Sequence, residues 1–242
     1  MNLRAIFAPV VTLAAITTSA QANFHVMQIE EIIGGVNGDP TAQAIQLRLR
    51  AGGQNVVSNG RIRAWDALGA NPVVLLDIAT NVSGFNGGDN VLLTTSKFNT
   101  YMSSVPGYTT DFTLANAIPA SYLSGGKVTF EADSGSIYWA VAFGAYTGTN
   151  LAFDTTNDAN ADFGSPFASA LPTSTRQGIR FTGAFSAPST TNVADYALTA
   201  NPATVRNNAG TSFTVVPEPA SFSFIALGAA ALGGVVFARR RR

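Results

Sequence analysis

The chain has 242 residues, of which 46% are hydrophobic and only 12% charged, with 14 Lys and Arg against 14 Asp and Glu, one His and no Cys. An ordinary soluble protein carries about 25% charged residues, so this surface must be covered by Ser, Thr, Asn and Gly instead. Disulfide staples, thiol catalysis and Cys-based zinc sites are excluded, and a chain of this length can rest on its core without them.

Arg4 precedes an apolar stretch from Ala5 to Ile16, and Ala20-Gln21-Ala22 forms a small-x-small cleavage site. That pattern predicts a secretory signal peptide over 1–22, with the mature chain starting at Asn23. The β-rich body is then expected over 23–187. A Thr/Asn/Ala-rich tether or last strand follows over 188–215, and a separate C-terminal signal over 216–242. Five of the 14 basic residues (Arg4 and Arg239 to Arg242) lie in the terminal signals, which leaves nine against all 14 acidic residues, Glu218 included, and a net charge of −5 over 23–221. Such a body has no basic excess to neutralise a phosphate backbone, which argues against nucleic acid as a partner.

Strand signals follow in order: FHVMQIEEII, QAIQLRLR, RIRAWDA, PVVLLDI, NVLLTT, KVTFEAD and SIYWAVAFGAY. Each is short, rich in β-branched or aromatic residues, and bounded by Gly, Asn, Asp or Pro. Ile45, Leu47 and Leu49 alternate with Gln46, Arg48 and Arg50, which predicts a strand with one wet face. Asp133-Ser134-Gly135-Ser136 reads as a hairpin turn. A short helix is expected between Asn116 and Leu123, limited by Pro119, and 150–192 is loop-rich. The fold class is therefore all-β, a single β-sandwich-like body. The succession HVMQIEEII, QAIQLRLR, RIRAWDALG and VVLLDI resembles lamin-tail-like domains, which implies an immunoglobulin-like sandwich. Where that family shows an acidic residue before its second strand core, this chain has Gln43 or Gln46.

The chemistry-bearing residues are few. Serine catalysis needs a base, most often His, and the single histidine, His25, sits at the edge of the mature chain in a predicted strand. A carboxylate-dependent hydrolase would draw on Glu30, Glu31, Glu131 and Asp133. Neighbours in a regular strand face opposite ways, so Glu30 and Glu31 are not expected at one site. In FDTTNDANADFG, Asp154, Asp158 and Asp162 stand four apart, with Asn157 and Asn160 between them. Calcium takes six to eight hard oxygens from such loops, and a solvated loop of Asx turns explains the same residues. Arg48, Arg50, Arg61 and Arg63 alternate along two predicted strands. If those strands pair, four guanidiniums share a face with Trp65, which suits an acidic polysaccharide through charge pairing and ring stacking; a salt-bridged outer face is the plainer alternative. LPTST at 171–175 is similar to a Gram-positive sortase signal, but it lacks the following Gly and no membrane span follows it directly.

The chain closes on VVPEPASFSFIALGAAALGGVVFARRRR. Residues 222–238 form an uncharged run of 17 residues, roughly 25 Å as a helix, short for a hydrocarbon core of about 30 Å. Arg239, Arg240, Arg241 and Arg242 orient such a span with its basic end in the cytoplasm, which places the preceding body outside. Pro217 and Pro219 hold Glu218 in an extended backbone. Val216, Pro217, Glu218, Pro219, Ala220 and Ser221, followed by a short span and an arginine cluster, closely resemble the PEP-CTERM sorting signal of Gram-negative bacteria. That resemblance covers about 216–242. It implies recognition by an exosortase, a membrane protease-transpeptidase, after an inner-membrane intermediate. It further implies a destination at the cell surface or in the extracellular matrix, in the setting of exopolysaccharide and biofilm. The expected function is that of a non-enzymatic surface protein, with no cofactor unless calcium binds. The alternatives are a module binding acidic polysaccharide, with calcium assisting, and a carboxylate hydrolase.

Overall fold

The computed structural model describes residues 24–148, 163–189 and 191–217. The expected signal peptide with Ala20 and Ala22, the three aspartates Asp154, Asp158 and Asp162, residues 218–221, the expected span 222–238 and Arg239 to Arg242 lie outside them. Among the described residues, no helix is long and apolar enough to cross a membrane.

All seven expected strand segments form strands: β1 (Met27–Ile33), β2 (Ala44–Leu49), β3 (Gly60–Trp65), β4 (Val73–Asp77), β5 (Asn90–Thr94), β7 (Gly125–Ala132) and β8 (Ile137–Gly144). Five shorter strands join them: β6 (Phe112–Thr113), β9 (Ile179–Phe181), β10 (Tyr196–Leu198), β11 (Thr204–Arg206) and β12 (Ser212–Thr214). They make a six-stranded sheet in the order β10-β9-β1-β2-β5-β6, a four-stranded sheet in the order β4-β3-β7-β8, and the ribbon β11-β12. Pairing is antiparallel except for β5 with β6.

The two large sheets pack face to face. Period-2 alternation sends Ile45, Leu47 and Leu49 of β2 inward. There they join Met27 and Ile29 of β1, Val91 and Leu93 of β5, and Val128, Phe130, Trp139, Val141 and Phe143 of the opposite sheet. Trp139 Nε1 donates to the Tyr196 hydroxyl at 2.9 Å, and that hydroxyl donates to the Ile29 carbonyl, which ties the two sheets together through the core. The hairpin expected at 133–136 joins β7 to β8, with Gly135 in the left-handed region at φ 97°. The helix expected at 116–123 is reduced to a 3₁₀ turn, Ala120–Tyr122, directly after Pro119.

Two features depart from the expectations. β1 carries a bulge: Ile29 pairs with Leu47, while Glu31 pairs with Gln46. The extra residue is Glu30, and the alternation restarts out of phase. A helix unmarked in the sequence pattern, α1 (Ser96–Met102), follows β5 and is capped by Thr95, whose hydroxyl accepts from Phe98 N at 3.2 Å. Its Phe98, Tyr101 and Met102 cover the outer face of the six-stranded sheet. With Ile33, Ala44, Leu92, Val205, Phe213 and Val215 they form a second core. The segment 188–215, expected as a tether or last strand, thus supplies β10, β11 and β12 (with a short helix, Asn192–Asp195, leading into β10).

Candidate functional site

The four arginines expected on one face are divided. β2 and β3 belong to different sheets, and β3 pairs with β4 and β7. Arg48 therefore lies on the outer face of the six-stranded sheet, and Arg61 and Arg63 on the outer face of the four-stranded one. Arg50, just beyond β2, closes the sandwich edge with its guanidinium 5.3 Å from the Trp139 ring centroid.

On the four-stranded sheet, one carboxylate organises the face. Glu131, with a fully buried side chain, bonds Arg61 Nε at 3.2 Å and Arg63 Nε at 2.7 Å, and accepts from the Thr129 hydroxyl at 2.6 Å. Trp65 Nε1 donates to Thr129 Oγ1 at 2.9 Å, and Arg63 stacks 4.7 Å from the Trp65 ring centroid. Lys127 threads between Trp65, Tyr146 and Phe163, its amine 5.0, 5.6 and 5.9 Å from their centroids. Burial pushes the Lys127 ammonium below its usual range, and burial pushes the Tyr146 phenol up to about 12. This face is the salt-bridged alternative, with Trp65 engaged inside it.

The outer face of the six-stranded sheet is not wet, although β2 alternates as expected. Gln46 and Glu30 are buried, because the ribbon β11-β12 and the loop 183–187 close over them. The bulge turns Glu30 and Glu31 to this same face, against the expectation of opposite faces. Glu30 accepts from Gln46 Nε2 at 2.7 Å and from Asn90 Nδ2, and pairs with Arg48 at 3.1 Å. Arg48 also donates to the Gly183 carbonyl at 3.1 Å. Glu31 is gripped by Arg180 of β9, whose guanidinium also donates to the Thr204 carbonyl of the ribbon. Arg180 was not among the residues singled out from sequence. It lies in the short strand Ile-Arg-Phe within the loop-rich region, where alternation over three residues is the only signal.

These groups wall a polar pocket of about 240 Å³ that includes Glu30, Gln46, Arg48, Asn90, Arg180 and Arg206. A second, more apolar concavity of about 440 Å³ adjoins it across Arg180 and Thr204. Phe185, 41% exposed, lies over Gly87 and over Gly88, which lines the polar pocket; a Cβ on Gly87 would meet the ring at 2.6 Å.

Glu31 has a pH consequence. Its burial pushes the carboxyl from 4.5 up to about 7, a rise the Arg180 guanidinium opposes without cancelling. Between those two values the native chain holds a proton that the unfolded chain has released, so stability falls as pH rises from about 4.5 to about 7 and levels off above. Glu31→Gln is expected to flatten that decline, read as urea midpoints at pH 5 and pH 8; an unchanged slope contradicts the assignment.

No shared carboxylate site forms between the sheets. Glu30 and Glu31 lie on one outer face, Glu131 lies on the other, and Asp133 sits in the exposed β7–β8 turn. His25 lies in the turn before β1 rather than inside a strand, edge-on to Tyr138 at 6.1 Å. Among the described residues, no group of three or more His, Asp or Glu could hold a metal ion.

The C-terminal end of the body completes the picture. Val215 is fully buried in the second core, Val216 packs against it, and Pro217 is half-buried at the surface. Comparison with curated proteins finds no match. Residues 215–242 match the family model described as the PEP-CTERM protein-sorting motif. The folded body thus runs directly into a PEP-CTERM sorting motif, the mark of an exported protein handled by an exosortase.

Proposed function

We propose that this chain is a non-enzymatic surface or matrix protein of a Gram-negative envelope, anchored briefly in the inner membrane, processed by an exosortase and associated with exopolysaccharide. The observation that carries the proposal is the sorting motif, continuous with a closed β-sandwich. The state of Glu31 and Glu131 supports a non-catalytic body. Glu31 and Glu131 are about 1% and 0% exposed and held by guanidiniums, so neither offers a surface to a substrate. The two packed, mainly antiparallel sheets agree with an immunoglobulin-like sandwich.

The polar pocket favours a second reading, a module binding acidic polysaccharide. Arg48, Arg180 and Arg206 face Glu30 across it, which leaves a positive excess at its wall, and the exposed Phe185 ring over neighbouring Gly88 offers a stacking surface beside it. Arg206 donates through Nε to the Gly210 carbonyl and lies at the exposed edge of the ribbon, so it can change without opening the core. Retention on immobilised alginate should exceed retention on neutral dextran and fall several-fold in Arg206→Ala at low salt, with the difference between the two proteins shrinking as added salt screens the charges. Equal passage of the unmutated protein through both columns rejects the polysaccharide reading.

A further inference from the structure

The family match begins at residue 215, yet the body does not end there. Val215 is 0% exposed, its N–H donates to the Ala203 carbonyl at 3.0 Å, and its own carbonyl accepts from Arg176 Nη1 at 3.4 Å. Two residues back, Phe213 packs edge-on to Tyr108 with centroids 5.2 Å apart. Val216 packs on the same cluster. The first two residues of the sorting motif are therefore structural parts of the sandwich, and no spacer separates the fold from Pro217.

This has a consequence for any enzyme that cuts here. A protease binds its substrate extended, with main-chain hydrogen bonds and side-chain pockets on the residues flanking the scissile bond. Val215 has both main-chain groups engaged by the body and its side chain in the core, so it cannot fill such a cleft while the ribbon is docked. Resting on the exosortase processing proposed above, we infer that the folded body bars the enzyme from every bond N-terminal to Pro217, and that the mature protein keeps Val215 and Val216 as core residues. The bond that breaks is a peptide C–N bond at Pro217 or beyond. Its acyl carbon passes to water, or to a primary amine in a transfer, and the departing segment leaves with a protonated new α-amine. Arg176 is a positioning residue in this scheme, since it fixes the exit of the chain through the Val215 carbonyl.

The test is the intact mass of the mature protein recovered from its native host, unmutated and as Phe213→Ala and Arg176→Ala. Amide exchange at Val215 reports the opening of the ribbon, and Trp139 fluorescence reports a folded sandwich. The unmutated chain should end at Pro217 or later. In whichever variant exchanges faster at Val215 with the sandwich intact, ends N-terminal to Pro217 should rise several-fold. An unmutated chain ending before Pro217 overturns the inference, as does an opened variant with unchanged ends. A chain still carrying Arg242 overturns the exosortase processing itself, a different failure with a different mass.

Discussion

Glu131→Ala is expected to cost this protein about 3–5 kcal/mol of folding stability, the range for removing one partner of a buried ion pair. In a domain of this size that is a fall of roughly 10 °C in melting temperature. The reason lies in what the substitution leaves behind. Glu131 has a fully buried side chain, while those of Arg61 and Arg63 are only 22% and 18% exposed, so both guanidiniums would remain half-buried without the carboxylate that pairs them. Thr129 would lose its acceptor, and with it the support it gives Trp65. Replacing Glu131, Arg61 and Arg63 together by Met should recover most of the loss, because a buried ionic cluster often exchanges for apolar packing at little net change. An alanine variant within about 0.5 kcal/mol of the unmutated protein, the scale of a neutral surface change, refutes the role given to this carboxylate.

The second large effect concerns sorting and leaves the fold alone. Glu218→Ala is expected to change processing without moving the unfolding curve. Losing the partner of a recognised charge typically costs about 2–5 kcal/mol, at least roughly 30-fold in processing at 1.4 kcal/mol per tenfold. The protein should then accumulate in the inner-membrane fraction instead of being released. Glu218→Asp keeps the charge on a shorter arm and should fall between. Normal release of the alanine variant speaks against recognition through this carboxylate.

The strands were legible because their pattern is local. Ile45, Leu47 and Leu49 report a buried face through alternation alone, and Ser134-Gly135 reports its own turn. Partner choice is not local. QAIQLRLR and RIRAWDA look like two arms of a hairpin, yet the chain crosses from one sheet to the other between them, which separates Arg48 from Arg61 and Arg63. The bulge at Glu30 inverts the facing of everything after it in β1, and no residue type there announces it. Helix α1 has two turns, too few for a period to emerge, although Thr95 supplied a cap. The candidate pocket was hidden for the same reason as the covered face of β2. Its roof comes from residues 183–212, over a hundred positions downstream of the strand they cover. Arg180, the residue linking Glu31 to that roof, has meaning only once β9 is placed beside β1.

The tail carried the clearest signal because it is read in one dimension: Pro-Glu-Pro, an apolar run and an arginine cluster, in order. The central claim, that this tail is a sorting device removed during export, is tested most directly by the mass of the mature protein purified from the envelope and medium of its native host. The account predicts a chain that begins near Asn23 and has lost Arg239 to Arg242. A full-length chain in the cytosol, from Met1 to Arg242, contradicts it.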